Sequence, residues 1–261
     1  MKNLVTIANG RIEYSFYEVK RPAAPTIVML HEGLGALSLW RDLPRQLSNL
    51  IDCSVFVYSR HGYGQSDFIK NKFNAKYMHK EALNILPEIL NHFDISNPIL
   101  YGHSDGASIA LIHASSAYTG IMGLILEAPH VFVEEISLNG LKDAKKAFEQ
   151  GGLKAGLAKH HREPEMIFRC WNNIWLSPEF LTWNIVSCLS NIQCPTLLIQ
   201  GETDAYGTLS QLDTIEKNIS GICEKKILPN IGHSPHRENP KLVLQSIKQF
   251  ISKNINAQKT E

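Results

Sequence analysis

The segment Ile99-Leu100-Tyr101-Gly102-His103-Ser104-Asp105-Gly106-Ala107-Ser108-Ile109-Ala110-Leu111 runs from an apolar stretch through G-x-S-x-G into a helical pattern, and few backbone paths accommodate that join. A serine on a sharp turn between a buried strand and a helix points its hydroxyl out of the sheet in a strained conformation. Gly102 and Gly106 leave room for the turn where a side chain would clash with the neighbouring strand or helix. The unpaired amides of the helix's first turn then face any negative charge that develops beside the hydroxyl. The motif is too short to stand alone, but its surroundings are right: Pro98 precedes the apolar run, and small residues Ala107, Ala110, Ala114 and Ala117 follow on the helix. Ser104 therefore reads as a nucleophile.

At 261 residues and 44% hydrophobic, the chain can bury one large core, or one core carrying a small insertion. The net charge of +1, with no basic block, argues against nucleic acid as a partner. Met1 to Ala8 runs into polar Asn9-Gly10-Arg11, unlike a signal peptide, and no apolar run approaches a membrane span. Five scattered cysteines, Cys53, Cys170, Cys188, Cys194 and Cys223, lack C-x-x-C spacing. They read as reduced, mostly buried thiols of a cytosolic protein rather than as a disulfide framework, a zinc site or a catalytic nucleophile.

Along the chain, Leu4 to Ala8 and Arg11 to Val19 alternate as strands joined at Asn9-Gly10, a hairpin-turn dipeptide. A loop at Arg21-Pro22-Ala23-Ala24-Pro25 leads to the apolar strand Thr26 to Leu30, which ends at His31-Glu32-Gly33-Leu34-Gly35. A helix is expected from about Leu39 to Leu50, a strand over Ser54 to Ser59, and a helix from about Lys76 to Phe93. Beyond Ser104 a buried strand starts at Gly123. Strands alternating with helices at this spacing imply a mostly parallel sheet with helices on both faces.

The alternation stops from about Val133 to Ile192, where helical stretches Leu138 to Gln150, Glu165 to Trp175 and Phe180 to Leu189 carry Trp171, Trp175 and Trp183. About sixty residues of helix between two strands of one sheet look like a cap, residues 133–192, on a core of residues 1–132 and 193–261. For any one of its aromatics, packing inside the cap is the simpler reading, yet a cap over a site also turns some apolar side chains toward it. The sheet then resumes in the stretch Cys194 to Asp204, with a strand at Glu224 to Leu228, helices at about Leu209 to Ile219 and Leu242 to Lys253, and a polar tail from Asn254.

A serine hydroxyl needs a base to take its proton, and the base needs an acid to hold its tautomer. Asp204 follows the end of an apolar strand, where loops of a parallel sheet gather ligands, and His233 lies in a Gly-containing loop after the last strand. Glu127 is the rival acid, and His130, His236 and the pair His160-His161 are the rival bases.

With these pieces in place the chain resembles the α/β-hydrolase superfamily over nearly its whole length. The resemblance rests on Gly102-His103-Ser104-Asp105-Gly106, His31-Glu32-Gly33-Leu34-Gly35, Arg60-x-Gly62-Tyr63-Gly64-x-Ser66, Gly201-x-x-Asp204 and Gly232-His233-x-x-x-x-Glu238-Asn239-Pro240. It implies an eight-stranded, mostly parallel sheet with a helical cap after the sixth strand. It also implies a triad of Ser104, Asp204 and His233, and an oxyanion hole at the backbone amides of Asp105 and Gly33, with Leu34 beside them. Glu32 departs from the family's usual residue. A serine nucleophile, in place of aspartate, separates the chain from haloalkane dehalogenases and epoxide hydrolases.

The expected activity is hydrolysis of carboxylic esters of small or medium apolar acyl compounds through an acyl-enzyme, with Leu34, Trp171 and Trp175 as candidate substrate contacts. It requires no metal and no organic cofactor. Carbon-carbon bond hydrolysis, lactone opening or lyase chemistry on the same fold are alternatives, as is a ligand-sensing relative of such enzymes. The expected partner is a small-molecule substrate, with no membrane, and the chain acts as monomer or homodimer. Asp105 has two readings: a carboxylate offsetting the helix dipole, which is the simpler, or an anchor for a substrate ammonium, as Ser-Asp-Gly resembles in amino-acid ester hydrolases.

Overall fold

The computed structural model describes residues 3–8, 10–20, 24–68, 73–116 and 120–255. Asn9, Arg21 to Ala23, Ala117 and the tail beyond residue 255 lie outside the described residues. The first hairpin pairs β1 (Asn3–Ile7) with β2 (Gly10–Tyr17), with Ile7 opposite Gly10. Six parallel strands follow: β3 (Thr26–Leu30), β4 (Ser54–Ser59), β5 (Pro98–His103), β6 (Gly123–Glu127), β7 (Thr196–Gly201) and β8 (Cys223–Leu228). The sheet order is β1-β2-β4-β3-β5-β6-β7-β8, with β2 antiparallel to β4, so the sheet is eight-stranded and mostly parallel.

The two-residue period of the strands sorts their side chains onto two faces. Ile27, Met29, Val55, Val57, Ile99 and Tyr101 pack with α1 (Leu43–Ile51) and α11 (Pro240–Asn254). Val28, Leu30, Phe56, Tyr58 and Leu100 point the other way, against α3 (Leu86–His92), α4 (Asp105–Ala114) and α9 (Ser210–Asn218). Both faces are dry, as a continuous apolar run such as Thr26-Ile27-Val28-Met29-Leu30 requires.

Between β6 and β7 lie α5 (Glu135–Glu149), α6 (Gly152–Ala158), α7 (Pro164–Trp175) and α8 (Pro178–Leu181). Their inward residues Leu141, Phe148, Phe168 and Phe180 belong to the same hydrophobic cluster as the α4 face of the sheet. Phe148 stacks on Phe168 at 3.9 Å and Phe180 on Trp183 at 5.3 Å, so these rings are the insertion's packing.

Three helices differ from expectation, each for a backbone reason. The helix from Leu39 is a 3₁₀ turn, Leu37–Trp40, followed by α1, because Pro44 cannot accept a helical turn around the Trp40 carbonyl and Arg41 breaks away at φ 52°. The helix from Lys76 is α2 (Tyr77–Lys80), a π-helical stretch Glu81–Ile85, and α3, the wider turn lying just ahead of Pro87. Phe180 to Leu189 is not one helix: Phe132 bridges Asn184, the Ile185 amide donates to the Val131 carbonyl, and a 3₁₀ turn, Val186–Asn191, follows. The Gly-containing stretch of α6 is helical although its glycines disfavour it, since tertiary contacts override propensity.

Ser104 caps α4 at φ 53° and ψ −116°, a conformation costly for any L-residue by about 1 to 3 kcal/mol. Close packing around it forces the flanking glycines. A Cβ on Gly106 would lie 1.9 Å from the Leu30 carbonyl oxygen, and one on Gly102 would lie 2.4 Å from the Gly106 oxygen. Both obstacles are backbone and cannot yield cheaply. Gly106→Ala is accordingly expected to destabilise the fold by about 3 kcal/mol, lowering the thermal midpoint by roughly 6 to 12 °C in a calorimetric scan.

Candidate active site

Three loops at the carboxyl ends of parallel strands converge on Ser104. Its amide donates to the Glu127 carbonyl at 2.9 Å, which fixes the turn against β6. Asp204 and His233 come from the loops after β7 and β8, and the two loops are locked together. A Cβ on Gly201 would sit 2.1 Å from the Ile231 carbonyl oxygen, so only glycine permits the approach. The Thr203 amide and hydroxyl both donate to that Ile231 oxygen at 2.9 Å. Glu238 closes the second loop by accepting from the Gly232 amide at 2.8 Å and the Ser234 amide at 3.3 Å.

The result is a relay. His233 Nε2 lies 3.0 Å from Ser104 Oγ, and its Nδ1 lies 2.8 and 2.9 Å from the two Asp204 carboxylate oxygens. Burial alone would raise the Asp204 carboxyl, but His233 and the Tyr206 amide hold it below its usual value. Asp204 therefore stays ionised and holds the proton on His233 Nδ1, leaving Nε2 as the acceptor for the serine proton. Among the rivals, Glu127 and His236 are bonded to each other at 2.6 Å. His161 is held between the Gly64 amide and the Leu34 carbonyl, and His160 faces Ser38. His130 is buried beside His233, and burial with that neighbouring ring pushes it down to about 3, so it is neutral.

Ser104 opens onto a cavity of about 340 Å³ roofed by the inserted helices. Gly33, Leu34, Asp105, Trp171 and Trp175 all line it, along with leucines 39, 141, 153 and 157. As the first residue of α4, Asp105 has no carbonyl one turn back for its N–H to reach. Trp171 presses its indole edge on Gly33, where a Cβ would meet Nε1 at 2.0 Å.

The Asp105 carboxylate is committed to the protein's own groups. It is 1% exposed, accepts from the Tyr77 hydroxyl at 2.5 Å, and has the Arg60 guanidinium 3.8 Å away. Trp175 Nε1 in turn donates to the Tyr77 oxygen at 2.9 Å. Both Asp105 contacts fall on the same carboxylate oxygen, Oδ2. Glu32, whose place the sequence does not explain, bonds Arg237 at 2.7 Å at the cavity wall. Burial would raise its carboxyl, but His103 and Arg237 keep it well below the usual range. Sequence reasoning missed Arg60, Tyr77 and Arg237, although Arg60 opens a motif it singled out.

Among the described residues, His103, Glu127 and His236 have donor atoms within 4.8 Å of one another. The Glu127–His236 bond already ties two members of that cluster together, and His103 Nε2 lies 2.7 Å from the His233 carbonyl oxygen. Cys170, Cys188, Cys194 and Cys223 are free thiols, and burial pushes Cys194 up to about 11 and Cys223 up to about 12, so neither of these two provides a thiolate near neutrality. No helix among the described residues is long and apolar enough to cross a membrane.

Residues 25–168 match the family model described as alpha/beta hydrolase fold. Among curated proteins, a 2-succinyl-6-hydroxy-2,4-cyclohexadiene-1-carboxylate synthase of Enterobacter sp. (strain 638) is 25% identical over 256 residues, covering 88% of this chain and 93% of its own. Among solved structures, a membrane phospholipase A described as a bacterial virulence factor superposes with a TM-score of 0.80 at 18% identity, over 98% of this chain and 87% of that one. An esterase from Exiguobacterium antarcticum superposes at 0.72 and 15% identity, over 97% of this chain and all of the other.

Burial makes this architecture sensitive to acid. His31, His103, His113, His130 and His161 are all pushed below their ordinary value, burial being the main cause in each. The fold disfavours their protonation relative to the unfolded chain, where they titrate near 6.5, so their contribution is complete above that pH and is lost as pH falls. The denaturant midpoint is expected to drop steadily from pH 7 to 5, with His130, held at about 3, accounting for about 2 kcal/mol at pH 5. His130→Phe should flatten that slope in the same titration.

Proposed function

The chain belongs to the alpha/beta hydrolase fold family, and from that premise we propose that it is a serine hydrolase of carboxylic esters with small or medium, largely apolar acyl groups. The observation that carries this reading is the 3.0 Å contact of Ser104 Oγ with an Asp204-held His233 inside a leucine- and tryptophan-lined cavity. Ser104 Oγ attacks the ester carbonyl while His233 Nε2 takes its proton. The resulting oxyanion is received by the amides of Asp105 and Gly33, each such donor being worth about 3 to 4 kcal/mol in the transition state. Collapse expels the alcohol, protonated by His233, and leaves an acyl-Ser104 ester. Water, deprotonated by His233, then attacks that ester and releases the acid. Trp171, Trp175 and Leu34 are the proposed contacts for the acyl chain.

Lyase chemistry is the second reading, favoured by the likeness to the Enterobacter synthase along most of both chains. The product in that enzyme's name carries a carboxylate and a succinyl arm, which call for cationic partners. Arg237 is the one arginine or lysine among the cavity-lining residues, and Glu32 already engages it. The ester reading fits the apolar walls better.

A panel of p-nitrophenyl esters of increasing acyl length decides between them. The wild type should turn over short and medium esters with a fall beyond the length the cavity holds, and Ser104→Ala should lose about 10³-fold or more in kcat. If a fluorophosphonate labels Ser104 while every ester is left intact, the ester reading is wrong and lyase chemistry takes its place.

A further inference from the structure

The Glu32 carbonyl accepts three hydrogen bonds: from Arg60 Nη2 at 3.1 Å, from His31 Nδ1 at 2.7 Å and from the Gly35 amide at 3.0 Å. Proton placement on His31 follows from its other nitrogen, since Nε2 accepts from the Arg60 amide at 3.1 Å and Nδ1 must then carry the hydrogen. Arg60 Nη1 adds a fourth link, to the His31 carbonyl at 2.9 Å. A carbonyl anchored on this scale fixes its whole peptide plane, and the opposite end of that trans peptide is the Gly33 N–H. Gly33 lines the cavity beside Ser104. Donors on a carbonyl also polarise the peptide and strengthen its N–H as a donor.

The same guanidinium lies 3.8 Å from the Asp105 carboxylate, and Asp105 supplies the other proposed amide. Arg60 and Asp105 are 3% and 1% exposed, so water does little to screen the carboxylate from an oxyanion forming at Ser104. Arg60, packed 4.8 Å over the Tyr63 ring, is the cation that offsets it.

We infer that Arg60 is the positioning residue of this site: through the Glu32 carbonyl it orients the Gly33 amide, and through the Asp105 carboxylate it cancels a charge that would oppose the oxyanion. The inference rests on the serine hydrolase reading but not on esters as the substrate. It assigns a role to a side chain that never touches substrate.

Two readouts test it: kcat and KM for p-nitrophenyl butyrate, and the second-order rate of Ser104 labelling by a fluorophosphonate, which also builds negative charge in the hole. Arg60→Lys keeps the charge and loses the two-pronged grip, and should lower kcat and the labelling rate about tenfold with KM within about twofold. Arg60→Gln combined with Asp105→Asn removes both charges of the pair together, which keeps the fold within reach, and should show a similar loss in both rates. Circular dichroism on each variant establishes that the chain is folded. If folded variants label within twofold of the wild type, Arg60 is structural only and the inference falls. A wild type that labels but hydrolyses no ester removes the ester reading alone, and the labelling rates of the variants still decide the role of Arg60.

Discussion

Gly106 meets the Leu30 carbonyl so closely that no larger residue fits, and this contact lets α4 start directly against the end of β3. Ser104 then has to turn at positive φ, held by its amide bond to Glu127. The strain is confined to one residue because everything around it is packed: all of β5, and α4 from Asp105 to His113, is buried. A rigid turn of this kind presents the hydroxyl in one direction only, which is what nucleophilic chemistry requires of a positioned group.

Around that turn the site is assembled from backbone more than from side chains. Gly201 joins the Asp204 and His233 loops by a backbone approach, Glu238 closes the His233 loop through two amides, and the Glu32 carbonyl gathers three donors. Each device fixes a peptide plane, and fixed dipoles stabilise developing charge without reorganising at the moment of reaction. The inserted helices join this scaffold rather than float above it. His161 ties the segment between α6 and α7 to the Leu34 carbonyl and the Gly64 amide, and the second bond, in which Nδ1 accepts, needs its neutral ring. Trp171 rests on Gly33, so the roof of the cavity touches the loop that carries the Gly33 amide.

Charge is handled in the same way. Two carboxylates, buried Asp105 and half-buried Glu32, stand at the cavity beside Ser104, and each has an arginine: Arg60 for the first, Arg237 for the second. Breaking the Arg60–Asp105 pair leaves an unpaired charge in a dry setting, which is far more costly than never having built the pair. The remainder of the cavity is lined mainly by leucines and two tryptophans.

By itself the sequence determined the mostly parallel sheet, the Ser104 turn, and the order Ser104, Asp204, His233, because apolar runs, glycine spacing and strand-end loops are local patterns. It left Glu127 open as the acid and several histidines open as the base, since chain order says nothing of which rings meet. Only the tertiary structure decided that: Glu127 is spent on His236, and His233 alone among the described residues joins Ser104 to a carboxylate. Prolines 44 and 87 redirected helices that periodicity alone ran through, as a missing N–H and a ring clash act on the turn before them. Arg60 and Tyr77 were beyond reach for the same reason as the pairing of Glu32 with Arg237. These contacts bridge residues 28 to 205 positions apart, and only folding sets the distances on which a Coulomb or hydrogen-bond energy depends.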